Sequence, residues 1–406
     1  MNRPRILVLN QYYRPGVEAT AHLLTELCEA LAQEFDITVI TGTRGEDARP
    51  GRVMRNGVEI IRVRATGYDR TKLLLRATNY VTYLTSSLAH VVRERRPDLI
   101  LCMTDPPVIG DIGYVAAKRF RVPLVVISQD VFPEVAVELK RLENPVVIAT
   151  LQMLIDFYLR KADAVVAIGG RMRERLVEKG ARPDRVAVIP NWVRTDAIQP
   201  MEHSNEWSHR NGLDGQFVVM HSGNIGHAQD LDALVRASTF LRDLDDLTVT
   251  LIGAGARLAA LTELASRLAA DKVRFLPYQP RSLLSQSLSA ASIHVVGLAK
   301  GLSGFVVPSR LYGVMAAGRP VIVSADADSE TAQVVTEAGA GIVVPPGSPD
   351  RLAAAIRACR LGEYDLDEFG RRAREYVVRE SDRSAAVASY ERLLRDLMAN
   401  RRVGRA

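Results

Sequence analysis

Short runs of Val, Ile and Leu recur along the chain, and most are followed by a stretch of helical periodicity. In the first half these runs fall at 6–9, 37–40, 59–63, 99–103, 124–128, 164–167 and 186–189, and a second series falls at 218–220, 248–252, 273–275, 293–296, 321–323 and 341–344. Continuous apolar strands alternating with helices predict parallel sheets covered on both faces. Between the series lie Pro190-Asn191-Trp192-Val193-Arg194 and a polar stretch at 201–216, which mark a domain boundary. Helices are predicted at 349–359, 366–378 and 383–398, followed by a basic tail. The predicted fold class is α/β, with two doubly wound Rossmann-like domains, 1–198 and 199–382. Residues 383–406 are expected to return to the first domain as a helix. Two such halves facing one another would leave a cleft between their carboxyl strand ends, where substrates are expected to meet.

Composition narrows the class. A chain of 406 residues with 47% apolar and 25% charged residues is ordinary globular material, long enough for two cores. Cys28, Cys102 and Cys359 share no metal-ligand spacing and read as buried thiols. The best candidate for a membrane span, 146–159, is interrupted by Gln152 and Asp156, and the first apolar run, 6–9, is too short for a signal-peptide core. The expected location is the cytoplasm.

The net charge of +6 is uneven: residues 62–96 hold eight Lys or Arg against Asp69 and Glu94. There Arg70, Lys72 and Arg76 interleave with Tyr68, Leu73, Tyr80 and Tyr83, a mixture that suits an anionic membrane surface or, equally, a solvated helix face over a packed one. No nucleic-acid module is recognisable, so nucleic acid is not an expected partner.

Two segments carry candidate chemistry. The stretch 301–323, GLSGFVVPSRLYGVMAAGRPVIV, joins a glycine turn, the hydroxyl of Ser309, the fixed cation of Arg310, an apolar helix and a strand. Such a unit can clamp an anion. Upstream, the strand at 217–220 runs into His221-Ser222-Gly223-Asn224-Ile225-Gly226-His227 and then a helix at about 231–241. Small residues at such a turn let main-chain amides approach phosphate at a positive helix end. Together the segments could grip a diphosphate from two sides.

Several short motifs then fall in a telling order: Asn191 after Ile189-Pro190, the Gly223 turn, Leu251-Ile252-Gly253-Ala254-Gly255, and Pro308-Ser309-Arg310-Leu311-Tyr312 through Gly318-Arg319-Pro320-Val321. The chain resembles the family 4 retaining glycosyltransferases of the GT-B fold. Gln129-Asp130-Val131-Phe132-Pro133-Glu134 and Pro277-Tyr278-Gln279-Pro280 look like the WbuB-like branch, enzymes of O-antigen and capsule assembly. The resemblance covers nearly the whole chain.

It implies a nucleotide-sugar donor, expected to be UDP-linked, on the second half and an acceptor, a polyprenyl-diphosphate-linked saccharide or other sugar, on the first. With the basic stretch around Arg70, peripheral attachment to the inner face of the plasma membrane is expected, and with no Asp-x-Asp motif in the expected place, no metal and no cofactor. By this resemblance Gly223, Asn224, Gly226, Tyr278, Ser303, Gly304, Ser309 and Arg310 are candidate donor-binding residues, and Arg310 would also offset charge on the departing diphosphate. Many relatives carry two glutamates eight positions apart, the second of which holds the donor ribose. Here those positions are Phe305 and Gly313. Glu330 could supply a ribose carboxylate from the next loop, or be a helix N-terminal acid beside the capping Ser329.

On the acceptor side Asp130 and Glu134 follow the strand at 124–128 and are the remaining catalytic candidates. Asp130 could orient the acceptor hydroxyl, stabilise positive charge at the anomeric carbon, or cap a helix before Pro133. Relatives often have two glycines in the first turn. This chain has Gly16, followed by Glu18, which could touch acceptor hydroxyls or cap the helix. His221 and His227 are expected to line or flank the phosphate turn. A nicotinamide dehydrogenase would need a small residue at the sixth position of a motif opening on Gly253-Ala254-Gly255, and Leu258 stands there. A sugar-nucleotide epimerase is the alternative that shares the diphosphate clamp.

Overall fold

The structure, a computed structural model, describes residues 3–14, 19–43, 49–66 and 73–403. The chain divides into two compact units: residues 1–190, 304–306 and 384–406 form one, and residues 191–303 and 307–383 the other.

In the first unit eight strands form one sheet: β1 (Arg5–Leu9), β2 (Asp36–Gly42), β3 (Gly51–Arg55), β4 (Val58–Val63), β5 (Leu99–Met103), β6 (Leu124–Ser128), β7 (Ala164–Ala167) and β8 (Val186–Val188). Their order is β3-β4-β2-β1-β5-β6-β7-β8, parallel except where β3 meets β4. Every residue of β5, β6 and β7 is buried, which is why these strands read as unbroken apolar runs rather than alternating ones. β3 is the strand the sequence does not announce: all five residues of Gly-Arg-Val-Met-Arg are exposed on the sheet edge. The helix Arg383–Val403 buries Tyr390 and Leu394, and its Arg395 pairs with Glu34 at 2.7 Å over the Phe35 ring.

The second unit holds β9 (Phe217–Ser222), β10 (Leu247–Ile252), β11 (Val273–Leu276), β12 (Ile293–Gly297), β13 (Val321–Ser324) and β14 (Gly341–Val344), all parallel, in the order β11-β10-β9-β12-β13-β14. One core packs Val219, Val249, Leu251, Ile293 and Val295 of the sheet against Leu231, Leu234, Leu261 and Ile356 of the covering helices. Connections leave β9 toward β10 on one side and β12 lies on the other. The loops after β9 and β12 therefore part at the carboxyl end of the sheet, the switch point where doubly wound folds open a ligand crevice.

The ends of the helices follow local chemistry. Asn144 caps Pro145–Lys161 by accepting from the Val146 and Val147 amides, with Pro145 at the first position. Ser329 caps Glu330–Ala338 through the Ala332 amide. Gly318, at φ +65°, ends the helix Arg310–Ala316 ahead of β13. The three cysteines are buried and free. Among the described residues no helix is long and apolar enough to cross a membrane.

Candidate functional site

The donor-side candidates gather at the carboxyl end of the second sheet because each sits just past a strand. Gly223, Asn224 and Gly226 follow β9, Tyr278 follows β11, Ser303 follows β12 and Glu330 follows β13, while Ser309 and Arg310 open the helix that leads into β13.

At the centre is Arg310. Its side chain lies over Gly223, where a Cβ would stand 3.6 Å from Nε and 3.7 Å from Cζ. Gly223 has φ +142°, a backbone conformation that favours glycine. Nη1 of Arg310 lies 2.9 Å from Nε2 and 3.2 Å from Nδ1 of His221, the fifth residue of β9. His221 is fully buried, and burial together with the Arg310 charge holds its pKa well below 6.5. The imidazole is thus neutral at pH 7 and can accept a hydrogen bond from the guanidinium.

Arg310 keeps part of its surface open, yet enclosure by protein lowers its pKa to about 10, with the Tyr278 hydroxyl acting in the opposite direction. It remains a cation. Among the described residues no carboxylate forms an ion pair with it; its hydrogen-bond partner is the His221 ring. A desolvated guanidinium facing a neutral ring is destabilising unless an anion completes it. Nearby in sequence, the Ser303 hydroxyl is buried and has no hydrogen-bond partner, a second polar group awaiting one.

The main-chain amides of the β9 turn do not stand free as the sequence suggests. Gly223 donates to Ile252 O at 2.9 Å, Ile225 to Ala254 O at 2.9 Å, and Gly226 to the side chain of Gln229 at 2.9 Å. Ile252 and Ala254 have taken two of these donors and Gln229, three residues on, the third, which fixes the turn against the loop after β10. Gly253 there, also at φ +142°, is packed so closely that a Cβ would fall 1.9 Å from Gly223 O. The glycines shape a floor on which the guanidinium rests.

Glu330 is the first residue of its helix and is buried, close enough to Tyr312 to raise the pKa of that phenol, whose principal cause is burial. Phe305, one of the positions where relatives carry glutamate, stacks under the Arg175 guanidinium at 4.8 Å, and its carbonyl accepts from the Val131 amide at 2.8 Å. Gly313, the other, points its missing side chain toward Ile198 and Leu288, each 3.9 Å away. Gly304 packs with the first unit, against the Arg171 carbonyl. Ser309 lies at the start of the helix without a side-chain capping bond.

In the first unit Asp130 is exposed after β6, and its segment bridges antiparallel to Val306. Glu134 is engaged: its Oε1 accepts from Lys179 Nζ at 2.7 Å, and that ammonium, nearly buried, also sits 3.1 Å from Asp156. Lys179 lies 45 positions from Glu134, so no local pattern signals the pair. Asp111 was also not singled out by the sequence; burial raises its carboxyl to about 7. Gly16 and Glu18 lie outside the described residues, as do Arg70, Lys72 and the side chain of Arg76.

A doubly wound α/β unit with an enclosed guanidinium at its switch point is a candidate for binding an anion, and comparison gives the fold a family. Residues 16–192 match the model of the glycosyl transferase 4-like domain and residues 204–376 that of glycosyl transferases group 1. The chain is a glycosyltransferase built from these two domains. It is 29% identical over 236 residues to the putative colanic acid biosynthesis glycosyl transferase WcaI of Escherichia coli (strain K12), a match spanning 57% of each chain. It is 25% identical over 377 residues to the probable glycosyltransferase WbjE of Pseudomonas aeruginosa, covering 90% of this chain and 91% of that one. Among solved structures, sucrose-phosphate synthase from Thermosynechococcus elongatus superposes with a TM-score of 0.80 at 19% identity over 98% of this chain and all of that one. Anabaena HepE in complex with UDP does so at 0.76 and 15%, over 97% and 100%. The fold is that of the GT-B glycosyltransferases. These models and relatives are transferases, which leaves the epimerase alternative without support.

Proposed function

We propose that the protein is a retaining glycosyltransferase that moves a sugar from a UDP-sugar to a lipid-linked or other saccharide acceptor during synthesis of a bacterial surface polysaccharide, at the cytoplasmic face of the membrane. The observation that carries this reading is the Arg310 guanidinium, enclosed, held by a neutral His221 and lacking a carboxylate partner among the described residues. A diphosphate is the anion such a group completes, through two charge-assisted hydrogen bonds. The name of WcaI supports the polysaccharide role, that of WbjE the glycosyl transfer, and the UDP bound by HepE the nucleotide. The resemblance of Gln129 to Glu134 and of Pro277 to Pro280 to the WbuB-like branch favours O-antigen or capsule assembly.

In this reading the second unit holds the donor. As the bond between the anomeric carbon and the diphosphate oxygen breaks, negative charge grows on the leaving group, and Arg310 is already positioned to offset it, with no metal needed. The acceptor oxygen bonds to the anomeric carbon on the same face, and its proton passes to a leaving-group oxygen. Ser303 donates to the diphosphate, Tyr278 lies beside it, and Glu330 receives the ribose hydroxyls. The first unit serves the acceptor: Asp130 orients its hydroxyl, while Glu134, committed to Lys179, anchors the helix Pro145–Lys161 rather than acting on substrate.

Incubating the protein with UDP-sugars and a polyprenyl-diphosphate-linked saccharide, and reading the product by NMR, tests this. The expected result is a new glycosidic bond with the donor's anomeric configuration. An inverted linkage would remove the retaining mechanism, and an epimerised nucleotide without transfer would remove the function.

A further inference from the structure

The helix Pro145–Lys161 of the first unit presents an apolar stripe to solvent. Val146, Thr150, Met153 and Phe157 recur at helical spacing on one face, and Val146, Met153 and Phe157 are 72%, 63% and 40% exposed. The opposite face is spent on the core through Ile155, Tyr158 and Leu159. The stripe widens onto the neighbouring helix Ile109–Phe120, where the Tyr114 ring meets Phe157 edge-on at 5.0 Å and Val115 is 48% exposed. A contiguous apolar surface of this kind on a folded unit calls for an occupant.

Charge says which one. The stripe carries no carboxylate and runs directly into exposed Arg160 and Lys161. Lys118 extends over the Tyr114 ring, 5.5 Å from its centre, and Lys140 and Arg141 stand before the other end, with the exposed acids Glu138 and Glu143 beside them. Asp156, one step off the stripe, is drawn to Lys179 instead. Aliphatic and aromatic side chains rimmed by cations match a bilayer surface, with apolar groups at the headgroup boundary and ammonium groups among lipid phosphates.

We propose that this face rests on an anionic lipid membrane. The inference builds on the reading of a membrane-held acceptor and moves the contact from the basic stretch around Arg70 to the helix Pro145–Lys161. It would bring the acceptor-side unit to the surface where a polyprenyl-linked substrate is anchored.

Cosedimentation of the full chain with phosphatidylcholine vesicles, with and without phosphatidylglycerol, reads it out. The wild type binds the anionic vesicles. The double variant Met153→Asp/Phe157→Asp loses about tenfold or more in partitioning with its Tm and UDP affinity unchanged. Lys118→Glu/Lys161→Glu weakens binding to anionic vesicles, and added salt lowers wild-type binding. Phe240→Asp, on an exposed apolar residue of the second unit, changes nothing. Equal binding by wild type and the Met153/Phe157 variant overturns the assignment of this face while leaving membrane attachment standing; loss on charge reversal at Arg70, Lys72 and Arg76 would then place it there. Absence of wild-type binding overturns both. A dimer in sedimentation velocity that the double variant dissociates assigns the stripe to a second copy, and likewise overturns the proposal.

Discussion

Arg310 and His221 sit with Nη1 2.9 Å from one ring nitrogen and 3.2 Å from the other, one side chain from the start of a helix and one from the end of a central strand. The contact is unusual because it does not neutralise the cation. A carboxylate in place of His221 would pair with the guanidinium and compete with any anion. A neutral imidazole steers it and leaves its charge available.

Arg310→Met therefore separates stability from activity. Removing an enclosed, unpaired charge and keeping the volume should leave Tm unchanged or raise it by about 2–4 °C. kcat/KM should fall by about 10²–10³, as for loss of one preorganised oxyanion donor. Calorimetry and steady-state kinetics on the same preparation check both, and a destabilised variant with normal kcat/KM would show the residue to be structural.

His221→Ala should weaken turnover by roughly tenfold to a hundredfold through Arg310, and the loss should nearly vanish in an Arg310→Met background. Additive losses in the double-mutant cycle would mean that His221 acts independently.

The two glycines of the floor differ in what they oppose. At Gly223 there is room for a Cβ, so Gly223→Ala is expected to cost about 1–3 kcal/mol from backbone strain alone. At Gly253 the Cβ would strike Gly223 O at 1.9 Å as well, and Gly253→Ala should be the more damaging of the two in urea unfolding. The reverse order would contradict the packing described.

Acid should unfold the second unit through His294. This ring is fully buried, its Nε2 2.9 Å from Leu288 O and its Nδ1 without a partner, and burial lowers its pKa to about 4. The unfolded chain, with a pKa near 6.5, binds the proton first. Stability is thus full above pH 6.5 and declines as pH falls toward 4, by up to ~3 kcal/mol from this residue. His294→Gln should give a shallower fall of Tm over that range; an unchanged slope would remove His294 as the source.

Glu134→Gln offers a contrast between anchoring and catalysis. With Lys179 left to Asp156 alone, Tm should drop by a few degrees while kcat stays within about threefold, whereas Asp130→Asn should lower kcat with little change in Tm. A large kcat loss for Glu134→Gln at normal Tm would restore it as a catalytic group.

Much of the frame was legible in the sequence because parallel strands buried on both faces leave unbroken Val/Ile/Leu runs. β3 was not, since an edge strand with every residue exposed has no apolar signature. Gly223 and Arg310 could be picked out from turn chemistry and resemblance. The state of the Gly223 turn could not, because its amides bond to Ile252 and Ala254, whose approach depends on strand pairing. The same holds for Glu134: its partner is the lysine just past the helix Gly170–Glu178, and nothing within the Gln129 to Glu134 motif reveals a half-buried ion pair. His221 was legible as the first residue past the apolar run 217–220, expected to line the turn, while its burial as the fifth residue of β9 and its contact with Arg310 depend on a residue 89 positions away.

Calorimetric titration of UDP in the presence of EDTA, on the wild type and on Arg310→Met, addresses the enclosed guanidinium most directly. The account predicts binding by the wild type without divalent metal and at least about thirtyfold weaker binding by the variant. Equal affinities, or a wild type that binds UDP only when a divalent ion is restored, would contradict it.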